Sequence, residues 1–428
     1  MLMNKNVLIA VGGKSGCGKT TLVNALIKCF PSEYERPISC TTRSKRSGEN
    51  NGEYDFISLN EFVRLTQCNE FLNTDHVYGN YYAIKTKSII DVIKRGKKPI
   101  KEIHPQNHGK IRKAFDGTVL SILVKSTLST NIVRAQQDTE YYDDINEDEF
   151  DLVFFYDANL SPERNANYFH QRIGVALIYQ GVFPPSGTID ALNRRGYEKV
   201  AADFTEEKRI TTRNFHELSS KFFCEAFKSY VSRNTIVAEI GPGQGWLYKT
   251  VSPECQSYVG FDISTAMVNI NPTVTEVVSS VRCTGSSAEV YDVVVASLSD
   301  PYFYPEAICE IARILKEYGY FIFSIPSSEW ALAFRRNKSD INKTSFILDS
   351  GETAQVFSFA SPEEELNALL YNCGFEKILL QQENGKRLIG REISPAIISA
   401  AVSLGKDISD LSIITTAIYR KKGVQNDG

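Results

Sequence analysis

The stretch Gly13-Lys-Ser-Gly-Cys-Gly-Lys-Thr20 has the residue types and the spacing of a phosphate cradle. It follows the apolar run Val7-Leu-Ile-Ala-Val11 and precedes a helical pattern from Thr21 to Cys29. A glycine-rich turn between a strand and a helix aims successive backbone N–H groups at one point, and the helix N-terminus adds partial positive charge there. The pattern G-x-x-x-x-G-K-[ST] in that context implies ATP or GTP. Gly13, Ser15, Gly16, Cys17, Gly18, Lys19, Thr20 and Thr21 are the candidate triphosphate contacts. Lys19 is expected to reach the β- and γ-phosphates, and the Thr20 hydroxyl to hold Mg2+.

A second glycine-rich stretch, Val237-Ala-Glu239-Ile-Gly241-Pro-Gly243-Gln-Gly245-Trp246, ends another apolar run. Tyr258-Val-Gly-Phe-Asp262 ends the next one with an acid. Glycines let the backbone approach a ligand where a side chain would clash. An acid at this spacing is also what a dinucleotide site would want for a ribose hydroxyl. On these residues alone, a nicotinamide dinucleotide remains one of the open choices.

The elements that must carry these groups fall into two halves. The chain has 428 residues, too many for one ordinary core, and an apolar fraction of 42% that supplies buried sheets. The first half alternates strand-like runs (Val7–Val11, Lys98–Ile103, Val119–Val124, Leu152–Tyr156) with helical patterns, which reads as a parallel α/β sheet. Ser161 to Gln180 reads as its closing helix, with Ser161 as N-cap and Pro162 at the first helical position. The breaker cluster Phe183-Pro-Pro-Ser-Gly187 is the expected linker. After helical patterns over Glu206 to Tyr230, strands are expected at Thr235–Ile240, Ser257–Phe261, Tyr291–Ala296 and Tyr320–Ser324. The expected organisation is α/β with two doubly wound domains, residues 1–182 and 196–428, joined by a linker over 183–195.

A net charge of −3 argues against a broad nucleic-acid footprint. The nine cysteines are scattered, without a C-x-x-C pair or zinc spacing, which fits a reducing cytoplasm. No apolar stretch is long enough to span a bilayer, and the N-terminal run ends in the phosphate loop rather than in a cleavage region. The acidic run Asp138 to Asp151 reads as a solvated helix end and loop, with a metal site the weaker idea.

Downstream of the phosphate loop lie Ser39-Cys-Thr-Thr-Arg43-Ser-Lys-Arg46, then Asn51-Gly-Glu-Tyr54, then Gly79-Asn-Tyr-Tyr82. Together these closely resemble guanylate kinase, over roughly residues 5 to 182. The resemblance implies a P-loop nucleoside monophosphate kinase fold that uses MgATP. It also implies that Arg43, Arg46, Tyr54 and Tyr82 grip the acceptor phosphate while Ser39 faces the base. Arginine forks match phosphate oxygens in bidentate geometry, and tyrosine hydroxyls add neutral donors.

The base-reading positions depart from the family. Asn73 stands where the family has a carboxylate that accepts from the guanine edge. Glu102 keeps the first place of a later acidic pair, and His104 replaces its second member. Ile84 replaces a small hydroxyl residue. The acceptor therefore need not be GMP: another nucleotide or a related phosphorylated metabolite is open. The family's arginine-bearing lid is also missing, because Lys125 to Ile132 is too short for it. Arg134 matches the family's phosphate-contacting arginine before the last strand. With Lys19 it is the expected catalytic pair.

The later half closely resembles class I S-adenosylmethionine-dependent methyltransferases, over roughly residues 196 to 422. Beyond the glycine stretch, the resemblance is carried by Tyr291-Asp-Val-Val-Val-Ala-Ser297 and by Ala307-Ile-Cys-Glu-Ile-Ala-Arg-Ile-Leu315 with the strand that follows. It implies a Rossmann-like sheet and an S-adenosylmethionine (SAM) site at Glu239, Gly241, Pro242, Gly243, Gly245, Asp262, Ile263, Ser287, Ala288 and Ser297. Glu239 would orient the methionyl amino end, and Asp262 would accept from the ribose hydroxyls. Ser297-Leu-Ser-Asp300-Pro-Tyr lacks the Asn/Asp-Pro-Pro-Tyr tetrad of amino-methylating nucleic-acid enzymes and looks like the small-molecule branch. Asp300, Tyr302, Tyr304 and His216 are base candidates by type only. Transfer from a sulfonium can proceed on proximity and alignment.

The expected activity is bifunctional: phosphorylation of a nucleotide-like acceptor, and methylation of a small molecule. The alternative is a methyltransferase regulated by an inactive nucleotide-binding module. A nucleic-acid or capping-type enzyme is the least favoured reading, and the sequence does not state the number of chains in the assembly.

Overall fold

The computed structural model describes residues 6–45, 54–77, 79–126, 145–204, 208–271, 275–336 and 340–423. The chain divides into two compact units, Met1–Leu177 and Ile178–Gly428.

In the first unit, β1 (Val7–Gly12), β2 (Tyr34–Glu35), β7 (Lys98–Glu102), β8 (Thr118–Ser126) and β9 (Leu152–Tyr156) form one parallel sheet in the order β2-β7-β1-β8-β9. The apolar runs at β1, β8 and β9 are almost wholly buried, as strands covered on both faces must be. The helix Lys19–Cys29 leaves the carboxyl end of β1 through the phosphate loop. A closing helix, Pro162–Ile178, begins where the Ser161 hydroxyl accepts from the Arg164 backbone N–H at 3.1 Å.

A separate four-stranded sheet was not visible in the hydrophobic pattern. It is built from β3 (Ser39–Thr41), β4 (Tyr54–Phe56), β5 (Phe71–Val77) and β6 (Asn80–Lys85), in the order β4-β3-β6-β5. Its register places Tyr54, Ser39, Ile84 and Asn73 in one row, and Phe56, Thr41, Tyr82 and Asp75 in the next but one. Residues two apart along a strand share a face. A register shift between Phe71 and Asn73 brings Asn73 opposite Ile84.

The second unit has a seven-stranded sheet, made of β10 (Ile236–Ile240), β11 (Ser257–Asp262), β12 (Thr275–Val278), β13 (Tyr291–Ser297), β14 (Leu315–Pro326), β17 (Phe375–Asn384) and β18 (Ser412–Lys421). Its order is β12-β11-β10-β13-β14-β18-β17, and β18 runs antiparallel to both neighbours. The helix Ile210–Tyr230 buries Phe215, Leu218, Phe222, Phe223, Ala226 and Phe227, a stripe at helical spacing. Part of that stripe packs with Val237, Leu247, Val293 and Ile322 in the sheet core. A hairpin of β15 (Lys343–Ile347) and β16 (Thr353–Phe357) stands apart from the main sheet.

The expected linker, 183–195, needs correction. Most of it lies in a helix, Ser186–Val200, whose Ile189, Asp190 and Asn193 are buried. The Pro-Pro-Ser-Gly cluster acts as a helix start, with Pro185 extended at the N-cap (ψ 136°). The helix seats closely on the hairpin. A Cβ at Gly196 would lie 2.4 Å from the Gln355 carbonyl oxygen and 2.5 Å from Val356 Cγ1.

Gly196→Ala is therefore expected to destabilise the second unit. Overpacking costs about 1–3 kcal/mol, more than the roughly 1 kcal/mol a helical alanine returns. Thermal unfolding of the full chain checks this, and an unchanged or raised midpoint would contradict the close seating.

Candidate active sites

The phosphate loop closes on backbone geometry that only glycine accepts easily. Gly18 precedes the helix Lys19–Cys29 with φ 91°, and a Cβ there would meet the Tyr156 ring at 2.9 Å. Gly13 and Cys17 are buried, while Ser15, Gly16, Thr20 and Thr21 are exposed at the start of the helix. Lys19 Nζ donates to the carbonyls of Gly13 (2.6 Å) and Lys14 (2.7 Å). Burial raises the Cys17 thiol pKa, and the nearby Lys19 ammonium offsets part of the rise. The loop fits a triphosphate: it offers N–H groups, a lysine and, for Mg2+, the exposed Thr20 hydroxyl.

Six of the eight expected acceptor residues meet in one place. Ser39, Tyr54, Asn73, Tyr82, Glu102 and His104 line a cavity of about 230 Å³ together with Asp75, Ile84 and Lys101. Its floor is the row of the small sheet, and its wall is the carboxyl end of β7. Glu102 is held by Arg36 in a fork, with Nη2–Oε1 2.7 Å and Nε–Oε2 3.1 Å. Arg43 lies over the rings of Tyr54 (5.2 Å) and Phe56 (5.3 Å). Arg46 and Arg134 lie outside the described residues, as does Asp138 to Asp144 of the acidic run.

Asp75 and Lys101 were not anticipated. Asp75 accepts from Asn73 Nδ2 at 3.4 Å and from Asn107 Nδ2. Lys101 is buried, with its ammonium 4.9 Å from the centre of the Tyr54 ring. The signal for Asp75 was present in its position two residues after Asn73 on the same strand, hence on the same face.

In the second unit, Glu239 and Asp262 sit at the carboxyl ends of the adjacent parallel strands β10 and β11. Both line a cavity of about 180 Å³ with Gly241, Pro242, Gly243 and Ser297. Glu239 is 1% exposed. Burial pushes its pKa up to about 8, although the Tyr258 hydroxyl donates to Oε2 at 2.8 Å. Burial also raises Asp262 to about 6, against N–H bonds from Ser264 (2.9 Å) and Gly243 (3.4 Å). Gly241 has φ 64°, and a Cβ there would meet Tyr302 Cε2 at 2.8 Å. A buried carboxyl without a cationic partner, next to a second acid and open glycine backbone, fits a ligand with an amino group and a ribose, as SAM has.

Gly245, Ile263, Ser287 and Ala288 do not line that cavity. Gly245 is the N-cap of the helix Trp246–Val251, and Ile263 is buried in the core. The loop before Ala288 is tied down elsewhere: Arg313 donates to the Ser286 carbonyl at 2.6 Å and pairs with Glu310 at 2.7 Å.

The base candidates separate. His216 stacks on Trp246 at 3.9 Å, and both line the cavity of Glu239 and Asp262 with Tyr302. Asp300 lines an adjoining cavity of about 340 Å³ with Trp330, Phe334, Phe346 and Arg335. It accepts the Ser358 hydroxyl, and burial raises it to about 6. Tyr304 lines neither cavity, because its hydroxyl is committed to Asp190 at 2.9 Å, and Asp190 pairs with Arg282 at 2.7 Å. Among the described residues, no three His, Cys, Asp or Glu side chains cluster to hold a metal, and no helix is long and apolar enough to cross a membrane.

The guanylate kinase family model matches residues 4–151, and a methyltransferase-domain model matches residues 209–380. A guanylate kinase of Helicobacter hepaticus is 32% identical over 152 residues, which cover 35% of this chain and 75% of that protein. The chain belongs to the guanylate kinase family. A methyltransferase domain follows in the same polypeptide. The chain spans only 54% to 64% of several other guanylate kinases it matches. Among solved structures, the guanylate kinase of Anaplasma phagocytophilum is 23% identical (TM-score 0.33), with 39% of this chain and 84% of that one covered. The S-adenosylmethionine-dependent methyltransferase of Mesorhizobium loti is 13% identical (TM-score 0.33), with 46% and 96% covered.

The raised Glu239 pKa sets the sign of a stability change. Between its ordinary value of 4.5 and about 8, the folded chain holds a proton that the unfolded chain releases. Its contribution is present below that window and is lost as the pH rises through it. From pH 6 to 8 the loss is at most about 1.4 kcal/mol per pH unit. Glu239→Gln, which stays neutral, is expected to flatten this slope in urea unfolding of the second unit. Equal slopes in the two proteins would contradict the buried neutral carboxyl.

Proposed function

We propose that the chain is a bifunctional transferase. Its first unit transfers a phosphoryl group from MgATP to a nucleoside monophosphate or a close relative. Its second unit transfers a methyl group from SAM to a small molecule. The observation that carries the methyltransferase reading is the pair Glu239 and Asp262, held side by side at the ends of β10 and β11 over open glycine backbone. Asp262 would accept from ribose hydroxyls, and Glu239 would answer an ammonium. The kinase reading rests on Lys19 at the phosphate loop, together with the cavity that gathers six acceptor positions. Phosphoryl transfer is chiefly positioning and charge stabilisation, which these groups can supply. The aromatic walls of the larger adjoining cavity suit a planar methyl acceptor.

The family lid that the sequence lacks over Lys125 to Ile132, where residues 127–132 lie outside the described residues, favours a second reading, in which the first unit binds nucleotide and regulates methylation without transferring phosphate. Two measurements test these readings, the first the methyltransferase site and the second the choice between them. Calorimetry with SAM is expected to show binding that Asp262→Ala weakens by about tenfold or more, the value of one charge-assisted hydrogen bond. Incubation with ATP and a nucleoside monophosphate panel is expected to show transfer that Lys19→Ala lowers by roughly 100-fold or more, as loss of one preorganised donor does. No transfer to any acceptor, with methylation altered in Lys19→Ala, would select the regulatory reading.

A further inference from the structure

The acceptor cavity of the first unit carries a hydrogen-bonding pattern of its own. Ser39 is 3% exposed, and among the described residues its hydroxyl has no hydrogen-bond partner. Asn73 Oδ1 is likewise buried and without a partner. The two residues lie in one row of the small sheet, either side of Ile84. Buried polar groups left without partners cost free energy, so such a pair belongs to a place where something else completes the bonds.

The direction of each group is fixed by its neighbours. Asp75 can only accept, so the amide of Asn73 turns its Nδ2 towards Asp75. That leaves Oδ1, an acceptor, for the cavity. The Asp75 carboxylate is held in turn by Asn107 Nδ2. At His104 the backbone N–H of Gln106 donates to Nδ1 at 3.4 Å. The ring proton of the neutral imidazole therefore sits on Nε2, a donor, and protonation of the ring leaves Nε2 a donor still. Ile84 offers neither donor nor acceptor.

From these directions we propose that the cavity reads an imide edge: a ring N–H flanked by two carbonyls, on a nucleoside monophosphate. Xanthine, uracil and thymine present this edge. The ring N–H donates to Asn73 Oδ1, and the carbonyls accept from Ser39 and from His104 Nε2. Guanine shares the first carbonyl and the N–H, but its 2-amino group would set donor against donor at His104. Adenine and cytosine would set a bare ring nitrogen against the Asn73 oxygen. Asp75 is a positioning residue that keeps the Asn73 amide from turning over. The inference rests on the reading of this cavity as a nucleotide acceptor site.

The test is calorimetric titration of the full chain, with a non-hydrolysable ATP analogue present, against XMP, UMP, dTMP, GMP, AMP and CMP. At least one imide nucleotide is expected to bind about tenfold or more tightly than GMP, the size of one mispaired buried hydrogen bond. The purine and pyrimidine arms decide which ring the cavity takes. GMP binding as tightly as any imide nucleotide would overturn the imide proposal and leave the kinase reading standing. No monophosphate binding, with the ATP analogue still bound, would overturn the acceptor reading and the proposal with it. Asn73→Glu is expected to shift preference towards GMP by about tenfold or more. Asp75→Ala is expected to narrow the discrimination while ATP-analogue binding holds. An unchanged preference in Asp75→Ala would remove the positioning role.

Discussion

Parallel strand pairing is the constraint on which both sites depend. A parallel strand cannot return by a tight turn, so each crossover delivers its loop to the same edge of the sheet. In the first unit that edge collects the phosphate loop after β1 and His104 after β7. In the second it collects the glycine backbone after β10, Asp262 at the end of β11 and Ser297 at the end of β13. Helices that start at this edge present unpaired N–H groups, and the loops are short enough to aim them. The chemistry differs between the units because the side chains at the edge differ. One offers cations and hydroxyls to phosphate, and the other offers carboxyls.

Groups that act locally were legible from the sequence. The phosphate loop needs a strand, a fixed spacing and a helix, and all of these lie within a few consecutive turns of chain. The parallel strands also announced themselves, because β1, β8, β9, β10 and β13 are largely buried on both faces and read as mostly apolar runs. The small sheet did not. Its strands β3 and β4 have three residues each and carry polar side chains towards the cavity, so no alternation could identify them. Asp75 and Lys101 stayed hidden for the same reason, since their role depends on register across strands distant in sequence. The helix Ser186–Val200 was masked by its own start signal, where two prolines read as a break.

Buried charge distinguishes structure from site. Asp190 with Arg282, Glu310 with Arg313, and Glu102 with Arg36 are each joined to a guanidinium within 2.7 Å. Such pairs satisfy both ions inside the protein and leave little for a ligand to add, and removing one partner strands the other. Glu310 and Arg313 accordingly hold a loop, and Asp190 and Arg282 hold a helix. Among the described residues, Glu239 and Asp262 have no such partner. A tyrosine hydroxyl and backbone N–H groups hold them, and burial lifts both above the ordinary carboxyl range.

The same distinction explains why the cavity residues tolerate incomplete bonding. A core that left Ser39, Asn73 and the Glu239 carboxyl short of partners at random would lose stability at each. Gathered along one row of the small sheet and at the end of β10, these deficits face space that a ligand can enter. The cost to the free protein becomes selectivity in binding, because a molecule with the complementary groups relieves the deficit and one without them leaves it in place. In the first unit the deficit is one of neutral donors and acceptors, which on the proposed reading would discriminate among base edges. In the second, the carboxyls leave room for a ligand that brings an ammonium group and hydroxyl donors, as the proposed SAM would.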